Sequence, residues 1–456
     1  MNKKTRLTIL LLCVVCFFTI APVLVAYSMG YRFDFEKREI VGTGGIYVRT
    51  FPAAEEVIID SKITAKPGVF SNAIFVQSLL PKEHTISIQK SGYYDYYKTV
   101  PVEEKTVTKL ENVTLFKKIL KFQLVQNEVD FFSVAPNNQD ILIALHEKNS
   151  IILRYKNFNS ATEPPKIFVP KPGKIVDIRW SENSNAALIK IQNASDIFYY
   201  LFNPAGQTPT TERLAYLDKN SQSILFNPRD SQEIFYQENQ VIYSLKKGDV
   251  QTVVKDALSY AFLGNNILWL SANGALYESD VSGNLTSALS AENASKNQNE
   301  NYEIIIDTGK IFLQEGKSLY FFDQSAKSFT NFNAPAGNFE ILSSPDSKNL
   351  VLWNREKIYL YSFENQNYAE LFSGREIINC RWLNNDYIIF TSGNNTIISE
   401  VDYRGNINTV TLPSHLDLGN GETLSISEPM MHYIQQSGKI YILSNNTLAV
   451  SEKLTP

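Results

Sequence analysis

The side chains that most often carry chemistry are few here and far apart. Among 456 residues there are four histidines, His84, His146, His415 and His432, and none has a second histidine at the i, i+4 spacing of a helical zinc pair. His84 falls on a predicted strand, where a surface or turn role is expected rather than a ligand role. Of three cysteines, Cys13 and Cys16 lie in an apolar N-terminal run, which leaves Cys380 alone in the remainder. A lone thiol cannot close an internal bridge, so Cys380, in strand parity with Ile378 and Trp382, reads as a buried structural thiol. The acid pairs Glu55-Glu56 and Glu103-Glu104 are sequence neighbours. Neighbours on a strand face opposite ways, so neither pair can share a substrate. Gly42-Thr43-Gly44-Gly45 is not followed by a helical pattern and lacks the helix N-terminus that a phosphate loop uses. No catalytic, metal-binding or cofactor-binding set emerges, and no cofactor is expected.

The densest aromatic cluster is Tyr93, Tyr94, Tyr96 and Tyr97. Tyrosine joins a flat apolar face to a polar hydroxyl, so one reading is a stacking platform for sugar rings. The other is a strand whose tyrosines alternate between core and surface. Charge narrows the ligand class. The formal net charge is −4, but Lys3, Lys4, Arg6 and Arg32 all fall in the first 33 residues, which hold no acid, leaving 39 bases against 47 acids in the body. A mildly acidic body repels phosphate backbones and argues against a nucleic-acid partner.

These groups must be held by something, and the chain is long enough for two or three domains. With 24 Tyr and 27 Phe against 4 Met, the apolar stock suits strands better than helical bundles. One segment differs. Leu7 to Ala26 is an uncharged run that, as a helix, spans about 30 Å, the thickness of a bilayer's hydrocarbon core. Lys3, Lys4 and Arg6 precede it and Tyr27, Tyr31, Phe33 and Phe35 follow. That order predicts an uncleaved anchor with its N-terminus in the cytoplasm and an aromatic belt at the outer face. The rival is a signal peptide cut after Ser28, with Ala26 and Ser28 as the small pair, although signal cores usually run about 7–15 residues.

Residues 44–116 read as short strands split by turns. Gly44-Gly45 opens Ile46-Tyr47-Val48, Val57-Ile58-Ile59 ends at Asp60, and Ile86 and Ile88 alternate with Thr85, Ser87 and Gln89. Together with Phe51-Pro52-Ala53, Leu79-Leu80-Pro81, His84-Thr85-Ile86-Ser87-Ile88 and Lys90-Ser91-Gly92-Tyr93, these segments resemble the PEGA family. The resemblance implies a small extracytoplasmic β-sandwich that recognises or spaces rather than catalyses. Ala54-Glu55 stands where the family has Gly-Ala, and the family's Thr-Pro turn is replaced around Ser71-Asn72-Ala73.

Further on, a branched aliphatic followed by an aromatic recurs as Ile197-Phe198, Ile242-Tyr243, Leu276-Tyr277, Leu319-Tyr320, Ile358-Tyr359 and Ile440-Tyr441, with degenerate copies at Ile151-Ile152 and Ile397-Ile398. Successive copies lie 46, 45, 34, 43, 39, 39 and 43 residues apart. A β-type period near 40 is that of a four-stranded propeller blade. Val176, Ile178 and Trp180 are expected on one face of an inner strand, with Asp177 and Arg179 on the other. Turns at Ala135-Pro136-Asn137, Asn227-Pro228-Arg229-Asp230, Ser344-Pro345-Asp346-Ser347 and Leu383-Asn384-Asn385-Asp386 end such strands. Ser344-Pro345-Asp346-Ser347-Lys348 resembles the repeat turn of TolB-type, WD-like propellers, and Trp180-Ser181-Glu182-Asn183 echoes it. Eight blades are expected, with seven as the alternative. The last blade takes its outer strand from Leu448-Ala449-Val450 or, as a clasp, from Phe122-Gln123-Leu124-Val125. Residues 286–300 are polar and read as a long loop.

The expectation is therefore an all-β protein in three parts. Residues 1–27 form a cytoplasmic tail and transmembrane anchor, 28–116 a juxtamembrane segment and PEGA-like β-sandwich, and 117–456 a β-propeller. The expected role is a non-enzymatic, extracytoplasmic binding scaffold on a bacterial cytoplasmic membrane, held through residues 7–26, with an envelope protein or polysaccharide as partner. The alternatives are a propeller enzyme acting on glycans or peptides, marked by axial carboxylates or a metal, and a purely structural envelope component.

Overall fold

The computed structural model describes residues 3–68, 71–147, 150–157, 166–169, 173–205, 209–284, 286–290, 300–419 and 421–454, and of 3, 4, 146, 147, 166 and 168 the backbone only. The fold is 58% strand and 6% helix. The chain forms two compact units. One gathers Met1–Leu120, Ile398–Leu412 and Lys453–Pro456; the other gathers Lys121–Ile397 and Pro413–Glu452.

The first unit starts with the helix α1, Lys3–Ser28. Thr5–Ser28 is long and apolar enough to cross a membrane, and none of its most apolar stretch is buried in the protein. The helix ends where Gly30 takes φ +86°, a left-handed stop that favours glycine. A hairpin of β1 (Tyr31–Asp34) and β2 (Glu39–Gly42) follows. Two sheets then share one core. β3 (Gly44–Phe51) lies between β6 (Ala73–Leu79), antiparallel, and β9 (Val107–Thr114), parallel. β4 (Glu56–Ile59), β5 (Ile63–Ala65), β7 (Glu83–Gln89) and β8 (Tyr96–Pro101) pair in the order β5-β4-β7-β8. Ile46, Val48, Val57, Ile59, Ile86, Ile88 and Val100 meet in the core between them. Their period-2 spacing in sequence is what puts them on the inner faces. Gly44 admits no side chain, because a Cβ there would meet the Glu103 carbonyl oxygen at 2.4 Å.

From Lys121 onward the chain forms repeated four-stranded antiparallel sheets. Among the described residues eight such blades cover 129–169, 174–213, 222–254, 257–288, 302–331, 340–373, 377–411 and 430–451. In the eighth, Met430–Ile434, Lys439–Ser444 and Thr447–Ser451 supply three strands, and β10 (Phe122–Asn127) supplies the outermost. The clasp is thus the realised alternative, and Leu448-Ala449-Val450 lies one strand further in.

Hydrogen bonds tie the innermost strands of several adjacent blades. The Ser133 hydroxyl donates to Ile178 O at 3.2 Å, Arg179 Nη1 to Ile224 O at 2.9 Å and the Tyr260 hydroxyl to Ser223 O at 2.5 Å. Ile304 N donates to the Ser259 hydroxyl at 2.9 Å and Trp382 Nε1 to Leu342 O at 3.0 Å. Between sheets, Trp180 and Tyr155 flank the fully buried Phe202, and Phe132 packs with Tyr441 where the last blade meets the first. The predicted turns are present. Asn138 N and Ser347 N close on Ala135 O and Ser344 O, with φ of 56° and 58°.

Two expectations about strand faces need correction, and they share a cause. The register shifts between Ile175 and Asp177 and between Ile378 and Arg381. A bulge inserts one residue and reverses parity across it. Val176 is consequently exposed while Ile175 is buried, and Cys380, fully buried as expected, groups with Ile377 rather than Ile378. The repeat phrase marks the third strand of seven blades, but Ile440-Tyr441 lies in the second strand of the eighth. An extra hairpin, His415–Asp417 with Thr423–Ser425, takes up the intervening length. Of the expected loop at 286–300, residues 291–299 lie outside the described residues, and Ser287–Ala288 form a short outermost strand of the fourth blade.

Leu448 is fully buried in the strand onto which β10 clasps. Leu448→Ala is expected to cost about 2–5 kcal/mol through lost burial and the cavity left behind. Urea unfolding followed by tryptophan emission reads this directly, since Trp180, Trp269, Trp353 and Trp382 all lie in the blades.

Candidate functional site

Two groups of polar side chains stand out, one within each unit. In the second unit the innermost strands alternate apolar residues, packed between sheets, with residues facing the axis. A cavity of about 720 Å³ is walled by Asp177 and Arg179 of the second blade, Ser223 and Leu225 of the third, Tyr260 and Phe262 of the fourth and Glu303 of the fifth. Arg179 lies 3.6 Å from Asp177. Continuing around, the innermost strands of the sixth, seventh and eighth blades carry Glu340, Arg381 and His432, and the Arg381 charge acts on both of the others. Burial raises the Glu340 carboxyl above its usual range, the Arg381 charge opposes this, and Glu303 adds to it. His432 is pushed down to about 4, first by burial and second by Arg381. Neither Glu303 nor Glu340 makes a hydrogen bond or ion pair with another described side chain. The innermost strands therefore carry two acids, a base and an imidazole, and among the described residues the two acids are not paired off. Among the described residues no three His, Cys, Asp or Glu side chains are arranged to hold a metal.

The second group lies in the first unit, around the four tyrosines. They do not share a face: Tyr96 is 6% exposed and Tyr97 52%, while Tyr93 is half-buried against the core. Tyr94 donates to Thr411 O at 3.4 Å and Tyr97 to Asp95 at 3.2 Å. Tyr96 points inward and donates to Glu400 Oε2 at 2.8 Å. Its neighbour in strand parity, Lys98, is fully buried and reaches Glu400 Oε1 at 2.5 Å and Asn406 O at 2.8 Å. Asn408 donates to the same carboxylate from its backbone at 2.8 Å and its side chain at 3.0 Å. The Asn406 amide then imitates a neighbouring strand, accepting from Thr99 N at 2.9 Å and donating to Tyr97 O at 2.7 Å. Around this core Arg404 grips Asp402 from both oxygens' sides. Burial works to raise Asp402, but the Arg404 hydrogen bonds and the Lys98 charge hold it below the ordinary carboxylate range. A buried ion pair survives when its remaining hydrogen-bonding capacity is filled, as it is here. Neither Lys98 nor Glu400 was a candidate from sequence. A lysine at an inward position of an alternating strand was the available signal.

His84 lies on a strand, and of the two roles expected for it the turn role is the one seen: it is 3% exposed, with Nδ1 2.6 Å from Asp60 Oδ2 and Nε2 2.8 Å from Leu80 O. Asp60 sits at φ 51° and also accepts from Thr85 N, so His84 pins the turn that follows β4. Of His146 only its place in the strand Asp140–Glu147 is described. His415 lies on the extra hairpin beside Ser414.

These sheets define the class: an all-β protein whose main body is a β-propeller of four-stranded blades. No protein-family model matches the chain, and none of the curated proteins matches it. Among solved structures it is similar to Sqt1 of Saccharomyces cerevisiae, with 8% identity over 74% of this chain and 99% of that one at a TM-score of 0.48. It is also similar to Hsv2p of Kluyveromyces lactis, with 9% identity over 64% and 100% at 0.40. YCF48, bound to D1 peptide, gives 10% identity over 73% and 95% at 0.38. Likenesses at this level add nothing to what the sheets establish by themselves.

Lys98→Met is expected to destabilise the first unit by about 3–5 kcal/mol, because it leaves the Glu400 carboxylate buried without its cation. Lys98→Met with Glu400→Leu should cost less than the single change, which a double-mutant cycle in denaturant reads out. His432 gives a pH signature. Its folded value lies below its unfolded one, so its contribution is complete above about pH 6.5 and is lost as the pH falls toward 4, where the unfolded chain takes up the proton more readily. NMR should find this imidazole neutral at pH 5.5, and His432→Gln should flatten stability between pH 4 and 6.5.

Proposed function

We propose that this chain is a membrane-anchored extracytoplasmic scaffold that binds a protein or an envelope polysaccharide over the axis of its propeller. In this reading α1 stays in a bacterial cytoplasmic membrane with Lys3, Lys4 and Arg6 on the cytoplasmic side. The β-sandwich of residues 44–116 is a PEGA-like spacer. The segments that carry that resemblance fall on β3, β4 and β7 and at the turn where Gly92 has φ +79°.

The observation that carries the reading is the axial cavity. It is walled by several blades, so one ligand touches many independent strands. Its Glu303, and Glu340 and Arg381 further round the ring, keep unspent hydrogen-bonding capacity. Polar groups left open on a rigid wall are what give a site orientation and specificity.

Axial carboxylates also favour a second reading, hydrolysis of a glycan. A carboxyl whose burial raises its pKa, such as Glu340, is suited to donate a proton to a leaving oxygen.

The full chain in its own membrane, with a photo-crosslinking residue replacing Ser223, should yield one discrete adduct. Arg179→Glu should weaken that adduct about tenfold or more, by reversing a wall charge. An adduct indifferent to the axial charges, or none, removes the axis as the binding site. Glycan turnover that Glu340→Gln abolishes would replace the scaffold with the enzyme.

A further inference from the structure

We infer that the hairpin of β1 and β2 is a second membrane contact, a wedge of Phe33, Phe35 and Ile40 seated in the interfacial layer of the bilayer beside the end of α1. This rests on the reading of α1 as a membrane anchor. Phe33 pairs with Ile40 across the hairpin, so the two share one face, and Phe35, in the turn that follows, lies against the Phe33 ring. Their exposures are 47%, 83% and 69%, and the two rings meet edge-on at 5.0 Å. The opposite face is not bare: Asp34 and Val41 are each 4% exposed. The hairpin is thus packed on one side and uncovered on the other, where a free polypeptide would place polar residues.

Its position relative to the helix is fixed by short bonds. Arg32 Nη1 donates to Tyr27 O at 2.7 Å and to Tyr31 O at 2.9 Å, its guanidinium lies 3.5 Å over the Tyr27 ring, and Nη2 reaches the Ser78 hydroxyl at 3.2 Å. Gly30 O accepts from the backbone and the hydroxyl of Thr43 at 2.9 and 2.6 Å. At the tip, Asp34 Oδ1 accepts from Glu36 N at 2.8 Å and Lys37 N at 3.2 Å, which holds Phe35 outward.

The occupant follows from length and charge. The apolar run ends at Ala26, and the hairpin begins five residues later, so it lies within roughly 18 Å of the hydrocarbon boundary even if the link were fully extended. Residues 29–42 hold three bases and three acids, so nothing there selects anionic headgroups. An aromatic, neutral wedge suits the surface of an uncharged bilayer and should ignore salt. Anchored at α1 and again at the hairpin, the β-sandwich could not swing about the helix end.

The test uses the full chain in phosphatidylcholine nanodiscs, with a tryptophan introduced by Phe35→Trp and, separately, by Phe18→Trp within the helix. Emission is compared with the parent, with and without lipids bearing a nitroxide near the headgroup or deep in the acyl chain. Phe35→Trp should lose roughly half of its added emission to the shallow nitroxide, unchanged by salt, as an interfacial aromatic does. Phe18→Trp should respond to the deep one. If Phe18→Trp is quenched and Phe35→Trp is not, the wedge is refuted and the anchor stands. If neither is quenched, the anchor falls and the wedge with it. Emission from Phe35→Trp that is shielded from water but untouched by lipid nitroxide assigns the face to a second copy of the chain and also overturns the proposal. Should Phe35→Trp fail to fold, Ile40→Trp carries the same measurement on the opposite strand.

Discussion

A propeller blade cannot stand alone, because its sheet is apolar on both faces and each face is covered only by the next blade. The circle must therefore close, and here it closes through one strand pairing. β10 is drawn from the start of the ring's sequence and lies antiparallel to Thr447–Ser451 at its end, with Phe122 opposite Ser451 and Asn127 opposite Thr447. This places Leu448 at 0% exposure among Val129, Ile141, Ile143 and Ile152 of the first blade. Without it the first and last sheets would each turn an apolar face to water. The inner-strand ties and the axial cavity have meaning only once that seam is shut.

Closure also explains how the axis tolerates its charges. The sheets are stabilised laterally, by layers such as Phe312 with Phe332 and Tyr155 with Phe202, so much of the inner wall is free to vary. The bulges add to that freedom. Ser223 and Asn379, at φ 46° and 56°, sit where the register slips in the third and seventh blades. Each slip turns an inner strand's side chains without disturbing the strand behind it.

The fold was largely legible in the sequence because its signals are local. Period-2 alternation, proline and asparagine corners and a recurring aliphatic-aromatic phrase all act within one blade or one turn. What could not be read depends on single inserted residues or on distant partners. Nothing in Lys-Ile-Val-Asp-Ile-Arg-Trp, residues 174–180, announces that Val176 will be bulged outward. The extra hairpin at 415–425 displaces the last copy of the phrase by one strand although its spacing, 43, is ordinary. The axial set escaped for another reason. Glu303, Glu340, Arg381 and His432 are up to 129 positions apart and look like scattered surface charges until the ring brings them round one axis. Likewise Tyr96 was visible as an aromatic, but its meaning lay in Glu400.

That last pairing has a consequence for how the molecule is made. Lys98 and Glu400 are 302 residues apart, yet both are buried in the compact unit that begins with α1. Synthesis from the N-terminus presents β8 early, with a cationic side chain that has no counter-ion to bury against. The sandwich must therefore wait, hydrated and incomplete, while some three hundred further residues are synthesised. The first module to emerge is the last to lock, and during that interval its open edge is the part of the nascent chain most in need of a chaperone.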